Sequence, residues 1–342
     1  MRAILPIFLL LISALPATAQ DGPVYGPRLE GFDYPHPVQI FRFTSQKMPM
    51  EMAYMDVKPA KPGASAKAGA TNKEVRTVVL LHGKNFCAAT WEGTIAALTG
   101  AGYRVIAPDQ IGFCKSTKPQ HYQYTFEQLA ANTRALLLSL NLNRVTVMGH
   151  SMGGMLATRF ALTFPEMTEQ LVSVNPLGLE DGRAKGVPWS SVDENYKGAL
   201  GTTAASAREY QRTVYYAGTW KPEYDKWVEM QAGMYRGAGK EIMAWNSALT
   251  SEMIATQPVI HELERLKMPV LFLIGDKDIT GRSNRAPKEV QATLGNFPAM
   301  SEAAKARIPT AKLVRFADMG HSPQIQDPVR FHKALLDGLA NP

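Results

Sequence analysis

A serine hydroxyl is a poor nucleophile until a neighbouring base takes its proton, and a histidine base works best when an acid fixes its tautomer. Ser151 is the serine placed for such work. It lies in Val145-Thr146-Val147-Met148-Gly149-His150-Ser151-Met152-Gly153-Gly154, where a β-branched apolar run meets Gly-x-Ser-x-Gly and a helical stretch follows. The glycines let the chain turn sharply and expose the hydroxyl, and the helix N-terminus behind it favours developing negative charge. Gly-x-Ser-x-Gly alone is a weak pattern, and an idle serine in a tight turn is the competing interpretation. The strand before it and the helix after it give the pattern its weight.

The base is sought among seven histidines. His321, in Ala317-Asp318-Met319-Gly320-His321-Ser322-Pro323, follows a strand-like run and falls on a loop at the same sheet edge as Ser151. His36, His121 and His261 lie away from strand ends, and His332 falls on the final helix as a surface or packing residue. His82 and His150 flank motifs and read as backbone-orienting groups. For the acid, Asp278 stands just past Val270–Ile274 in Gly275-Asp276-Lys277-Asp278. Asp276 is its rival, while Glu180 and Asp181 come late after their strand. The chain order Ser, Asp, His is that of a nucleophile elbow. An oxyanion needs two backbone N–H donors. Met152 supplies one, and Lys84, or else Asn85, supplies the other from His82-Gly83-Lys84-Asn85. No role of the Lys84 side chain is implied by this assignment, although its ammonium near the mouth could attract an acidic substrate.

These residues share one edge only if strands and helices alternate between them. Short β-branched runs occur at Thr77–Leu81, Tyr103–Ala107, Arg144–Met148, Gln170–Val174, Pro269–Ile274 and Lys312–Phe316. Segments of helix length separate most of them, such as Phe126–Leu140 and Met152–Phe164. This alternation predicts an α/β fold, a parallel sheet covered by helices on both faces. Val38–Thr44 and Met50–Val57 add an antiparallel pair at one edge. Lys58–Lys73, rich in Ala, Gly, Lys and Pro, reads as a surface loop. Gly178–Arg265 is too long for one crossover and is rich in tryptophan, tyrosine and methionine, so it predicts a helical subdomain. Its aromatics either form that subdomain's core or line a pocket. Gly281–Pro309, punctuated by Pro287, Pro298 and Pro309, reads as two short helices.

Composition bounds the rest. Of 342 residues, 45% are hydrophobic and 20% charged, which excludes a disordered chain. The net charge of +7 comes from scattered lysines and arginines beside acids, so no nucleic-acid partner is expected. Two cysteines are too few for a disulfide scaffold or a four-cysteine zinc site, and no metal is expected. Arg2, the apolar run Ile4–Leu15 and the small-x-small Ala17-Thr18-Ala19 form an export signal over residues 1–19, with Gln20 as the mature N-terminus. No later apolar run reaches the roughly 20 residues that span a bilayer. A periplasmic or secreted protein with no stable membrane anchor is therefore expected.

Taken together, His82-Gly83, Asp109-x-x-Gly112-x-x-x-Ser116, Gly149-His150-Ser151-Met152-Gly153-Gly154, Gly275-x-x-Asp278 and Gly320-His321 resemble the capped serine-hydrolase branch of the α/β-hydrolase superfamily. The resemblance covers most of the chain from Val78 onward. It implies a sheet of about eight strands, a helical cap inserted after the sixth, and no cofactor. The implied division is a core over 20–177, a cap over 178–265 and the rest of the core over 266–342. Relatives that are haloalkane dehalogenases or epoxide hydrolases carry aspartate where Ser151 stands, which disfavours those reactions. Cys114 departs from the family's common glycine, and Cys87 lies in the oxyanion loop. Because the family makes these loops neighbours, a Cys87–Cys114 disulfide is implied for an exported chain, with two buried thiols as the alternative. The activity implied is hydrolysis of a partly apolar small ester or lactone. Carbon–carbon bond hydrolysis is the second reading. A third is a proline-type aminopeptidase holding its substrate amine on Glu209, Glu223, Asp225 or Glu229. A binding-only receptor on the same fold is the non-enzymatic alternative.

Overall fold

The structure, a computed structural model, describes residues 22–59, 75–283 and 285–342. The export signal and most of Lys58–Lys73 lie outside the described residues. Eight strands follow in chain order: β1 (Val38–Ser45), β2 (Met48–Val57), β3 (Thr77–Leu81), β4 (Arg104–Pro108), β5 (Val145–His150), β6 (Thr168–Val174), β7 (Val270–Gly275) and β8 (Ala311–Phe316). They form one sheet in the order β1-β2-β4-β3-β5-β6-β7-β8. β1 pairs antiparallel with β2, and β2 with β4; every later pairing is parallel.

β3, β5 and β7 are buried along their whole length. A parallel strand covered on both faces must be apolar at successive positions rather than at alternate ones. Side chains nevertheless point alternately to the two faces. Val78 and Leu80 of β3 join one core with Trp91, Ile95, Phe331, Leu335 and Leu339. Val79 and Leu81 join the other with Leu129, Leu136, Leu156, Phe160 and Phe297. The first core is roofed by helices α1 (Glu92–Gly100) and α11 (Pro328–Ala340), the second by α2 (Phe126–Ser139), α3 (Met152–Thr163) and α9 (Phe297–Arg307). Local signals set these boundaries. Thr125 caps α2 by accepting from the Gln128 N–H at 3.0 Å, and Asp327 caps α11 from the Arg330 N–H at 3.2 Å, with Pro328 at its first position.

The long interval between β6 and β7 carries α4 (Val192–Leu200), α5 (Ala204–Tyr210), α6 (Asp225–Arg236) and α7 (Lys240–Thr256), with a π-helical turn over Gln211–Tyr215 continuing α5. Both expectations for its aromatics are met. Tyr216 and Tyr224 stack at 3.8 Å inside it, while Tyr210, Tyr235 and Trp189 line cavities. Residues before β1 brace it: the Tyr25 N–H donates to the Gly233 carbonyl at 3.0 Å, and Arg236 donates to the Pro23 carbonyl at 2.9 Å. The interval from Gly281 to Pro309 holds a four-residue helix, α8 (Lys288–Gln291), and α9. α10 (Pro323–Gln326) leads into α11. Among the described residues no helix is long and apolar enough to cross a membrane.

Candidate active site

The C-terminal ends of the parallel strands bring the chemistry together, as open parallel sheets tend to do. β5 ends at His150, and α3 begins at Met152, so Ser151 must reverse the chain alone. It does so at φ 58° and ψ −123°, a left-handed conformation costly for a side-chain-bearing residue. The neighbouring glycines are required by space. A β-carbon on Gly149 would lie 1.9 Å from the Gly153 carbonyl oxygen, and one on Gly153 would lie 2.1 Å from that of Leu81. Ser151 is 4% exposed.

His321 follows β8, and Asp278 follows β7. The His321 Nδ1 and an Asp278 carboxylate oxygen are 2.6 Å apart, and both side chains are fully buried. An ionised carboxylate can only accept, so Nδ1 is the donor in this pair and Nε2 is the nitrogen left to face the elbow. Nε2 has no partner among the described residues. Asp276, the rival acid, points outward and pairs with Arg315 at 2.8 Å and 2.9 Å. Glu180 pairs with Lys185, and Asp181 with His261; neither approaches His321.

One residue of this constellation was missed from sequence. Asn175, just past β6, has φ 38° and is fully buried. Its amide donates to the Asp278 carboxylate at 2.8 Å and accepts the Gly275 N–H at 2.9 Å. The Thr280 N–H donates to the other Asp278 oxygen at 2.7 Å. The signal available was a lone polar residue after an apolar strand, in Val174-Asn175-Pro176, at the same edge as the acid.

The segment expected to carry the second oxyanion donor lies against Ser151. A β-carbon on Gly83 would sit 3.2 Å from the Ser151 β-carbon, so the Lys84 N–H comes next along a chain already packed on the elbow. The Asn85 side chain is engaged elsewhere, donating to the Tyr215 hydroxyl at 2.9 Å. Two further histidines fix backbone. His150 Nε2 lies 2.8 Å from the His321 carbonyl, to which it must donate. His82 receives the Gln110 N–H on Nε2 at 3.1 Å and faces the Gly83 carbonyl through Nδ1 at 2.9 Å. Burial holds both imidazoles below their ordinary pKa, His150 far below, so each is neutral near pH 7. His332 packs on α1 through Thr94 at 3.1 Å.

Asp109, past β4, ties two loops together. Its carboxylate accepts the Ala88 N–H at 2.8 Å, the Lys115 N–H at 3.0 Å and the Tyr34 hydroxyl at 2.7 Å. The same loops bring Cys87 and Cys114 together, with Cα atoms 5.9 Å apart, a spacing a disulfide spans. Among the described residues, Cys87, Asp109 and Cys114 are the grouping close enough to share a metal ion. Its sulfurs face each other and its carboxylate oxygens are already taken, so it offers no open ligand set. The four carboxylates considered for amine binding are also committed. Glu209 pairs with Arg212, Glu223 faces Lys221, Asp225 pairs with Arg208, and Glu229 pairs with Arg236.

Two cavities lie beside this edge. One, of about 320 Å³, is largely apolar and bounded by Pro176, Leu177, Leu179, Ile254 and Phe297. The Leu177 N–H donates to the Ser151 carbonyl at 3.2 Å, which sets this cavity beside the elbow. The other, of about 260 Å³, is polar and includes Lys84 and Asn85; both cavities touch Asn195 and Ser251.

Known proteins agree with this architecture. The chain is similar to a solved probable hydrolytic enzyme from Pseudomonas aeruginosa at 59% identity, with TM-score 0.88, covering 93% of this chain and 99% of that one. An enol-lactonase from Burkholderia xenovorans shares the fold at TM-score 0.61 and 20% identity, covering 85% and 97%. A 2-hydroxy-6-oxo-2,4-heptadienoate hydrolase from Pseudomonas putida is 35% identical over 104 residues, 30% of this chain and 38% of that one. The chain spans 29% of the length of the uncharacterized mycobacterial relatives it matches. The family model of the alpha/beta hydrolase fold matches residues 76–328, more than half of the chain. With that match laid over the eight-stranded sheet and the elbow between β5 and α3, the chain belongs to the alpha/beta-hydrolase family.

Proposed function

We propose that the protein is a serine hydrolase that cleaves a small carboxylic ester or lactone through an acyl-enzyme. The observation that carries this reading is the His321–Asp278 pair at 2.6 Å, with Nε2 unpartnered at the edge that holds the strained Ser151. In this mechanism Nε2 takes the Ser151 proton as the hydroxyl oxygen attacks the carbonyl carbon. The Met152 and Lys84 N–H groups hold the oxyanion, and Asp278 stabilises the imidazolium. His321 then protonates the leaving oxygen. Water then attacks the acyl carbon as Nε2 takes one of its protons; the acyl carbon–Oγ bond breaks, Ser151 Oγ takes that proton back from Nε2, and the acid leaves. The apolar cavity at Leu177 suits a hydrophobic portion of the substrate.

The enol-lactonase likeness supports the lactone variant. The match to a dienoate hydrolase supports carbon–carbon cleavage as a second reading. Export belongs to the same proposal. Its supports are the Ala17-Thr18-Ala19 site and the paired cysteines, which an oxidising compartment would join.

Mass spectrometry after treatment with a fluorophosphonate tests the nucleophile. One adduct is expected on the wild type and none on Ser151→Ala. No adduct on folded wild type overturns the reading and brings the receptor alternative forward. A panel of esters, lactones and a dienoate then separates the reactions.

A further inference from the structure

We propose that Lys84 recognises an anion, and that the substrate carries a free carboxylate besides the ester or lactone it presents to Ser151. This rests on the hydrolase reading above and names its substrate class.

The backbone and side chain of Lys84 serve two different places. The backbone lies against the nucleophile, one residue from the Gly83 contact. The side chain runs into the 260 Å³ cavity beneath the helices inserted after β6, where Nζ donates to the Ser247 hydroxyl of α7 at 2.9 Å. No carboxylate pairs with Lys84 among the described residues, and none lines this cavity. The other polar groups there are neutral amides and hydroxyls, such as Asn85, Gln231 and Tyr235. A cation withdrawn from water without a counter-charge is unfavourable, and burial pushes the ammonium down to about 8. An anionic ligand would remove that penalty. One positive charge among neutral donors matches a singly charged carboxylate better than a doubly charged phosphate. Asn85 also connects the cavity to the triad: it donates to the Tyr215 hydroxyl, whose ring lies 5.1 Å from that of His321.

The test compares mono-4-nitrophenyl glutarate with 4-nitrophenyl butyrate on wild type, Lys84→Met and Lys84→Arg. The readout is the ratio of the two kcat/KM values, because any disturbance of the Lys84 N–H affects both esters alike. The wild-type ratio is expected to exceed one and to fall about 10- to 100-fold in K84M, the span of a charge-assisted contact, with partial recovery in K84R. A ratio unchanged by K84M overturns the proposal. Fluorophosphonate labelling runs in parallel. Labelled enzyme without an anion preference refutes the role of Lys84 and leaves the hydrolase standing. Where neither ester turns over, thermal shifts with monomethyl glutarate and methyl butyrate decide. A glutarate-specific shift lost in K84M supports the anion site, and its absence overturns it.

Discussion

Replacing Ser151 by glycine should make the protein more stable than replacing it by alanine. Both variants lack the hydroxyl, so both are inactive and neither gains a contact. They differ in what the backbone costs at φ 58° and ψ −123°. Alanine keeps the β-carbon and hence the strain, which at such positions is about 1–3 kcal/mol. Glycine relieves it but loses about 0.5–1 kcal/mol more chain entropy on folding. The difference favours Ser151→Gly by about 1 kcal/mol, up to about 2.5 kcal/mol. At an ordinary buried site in the right-handed region the sign is reversed, with glycine the worse by about 0.5–1 kcal/mol. Guanidinium denaturation of the two variants, followed by tryptophan fluorescence and compared at equal slope, measures the difference. S151A equal to or more stable than S151G would refute the claim that the elbow stores strain.

Other perturbations follow from the same geometry. Asp278→Asn should lower kcat about 10³–10⁴-fold by forcing the wrong tautomer on His321, whereas Asp276→Asn, which only releases Arg315, should change it less than about twofold; steady-state ester kinetics decide. Asn175→Ala removes a hydrogen bond to the Asp278 carboxylate worth about 1.5–3 kcal/mol, so kcat should fall about 10- to 100-fold with little change in KM. Removing the link between Cys87 and Cys114, 27 residues apart, with C87A/C114A should lower the unfolding free energy by about 3.5 kcal/mol, measured in denaturant without reductant. The preference for the glutarate ester should be full where Lys84 is protonated, below about pH 8, and decline above it; the groups facing the ammonium, Ser247, Gln231, Tyr235 and Asn85, do not titrate there. A flat ratio from pH 6.5 to 9.5 would contradict this.

Much of the fold was legible because it rests on local patterns. The six parallel strands are short β-branched runs, and helix-length segments separate most of them, so a parallel sheet could be read from the alternation, while the exchange of β3 and β4 in its lateral order could not. The positions of Ser151, Asp278 and His321 were legible for the same reason: each falls within five residues of a strand end at one sheet edge, although Asp276 competed with Asp278 until the fold turned it toward Arg315. Asn175 was not singled out, because a polar residue after a strand is common and its role depends on β6 and β7 being neighbours. The arrangement between β6 and β7 was least legible. α4 carries a helical apolar period in Val192, Tyr196, Ala199 and Leu200 yet buries no residue fully, so the period does not say what it packs on; it settles along α7 through partial contacts such as Tyr196 on Trp245 at 5.8 Å. The lysine in the polar cavity was visible as a residue but not as a lone charge, since the absence of a nearby acid among the described residues is a property of the packed chain.

The insertion between β6 and β7 also orders the protein's assembly in time. Ser151 and the amides of Lys84 and Met152, proposed as nucleophile and oxyanion donors, are encoded before it, and Asp278 and His321, the proposed acid and base, after it. As synthesis proceeds, the first part of the chain carries a serine with nothing to deprotonate it. β7 can pair with β6 only by closing across the whole insertion, and such long-range pairings are the slow ones. β8 must then dock before His321 reaches the edge. Reactivity therefore arrives last. On the proposed mechanism, a chain in which β8 has not docked would be chemically silent.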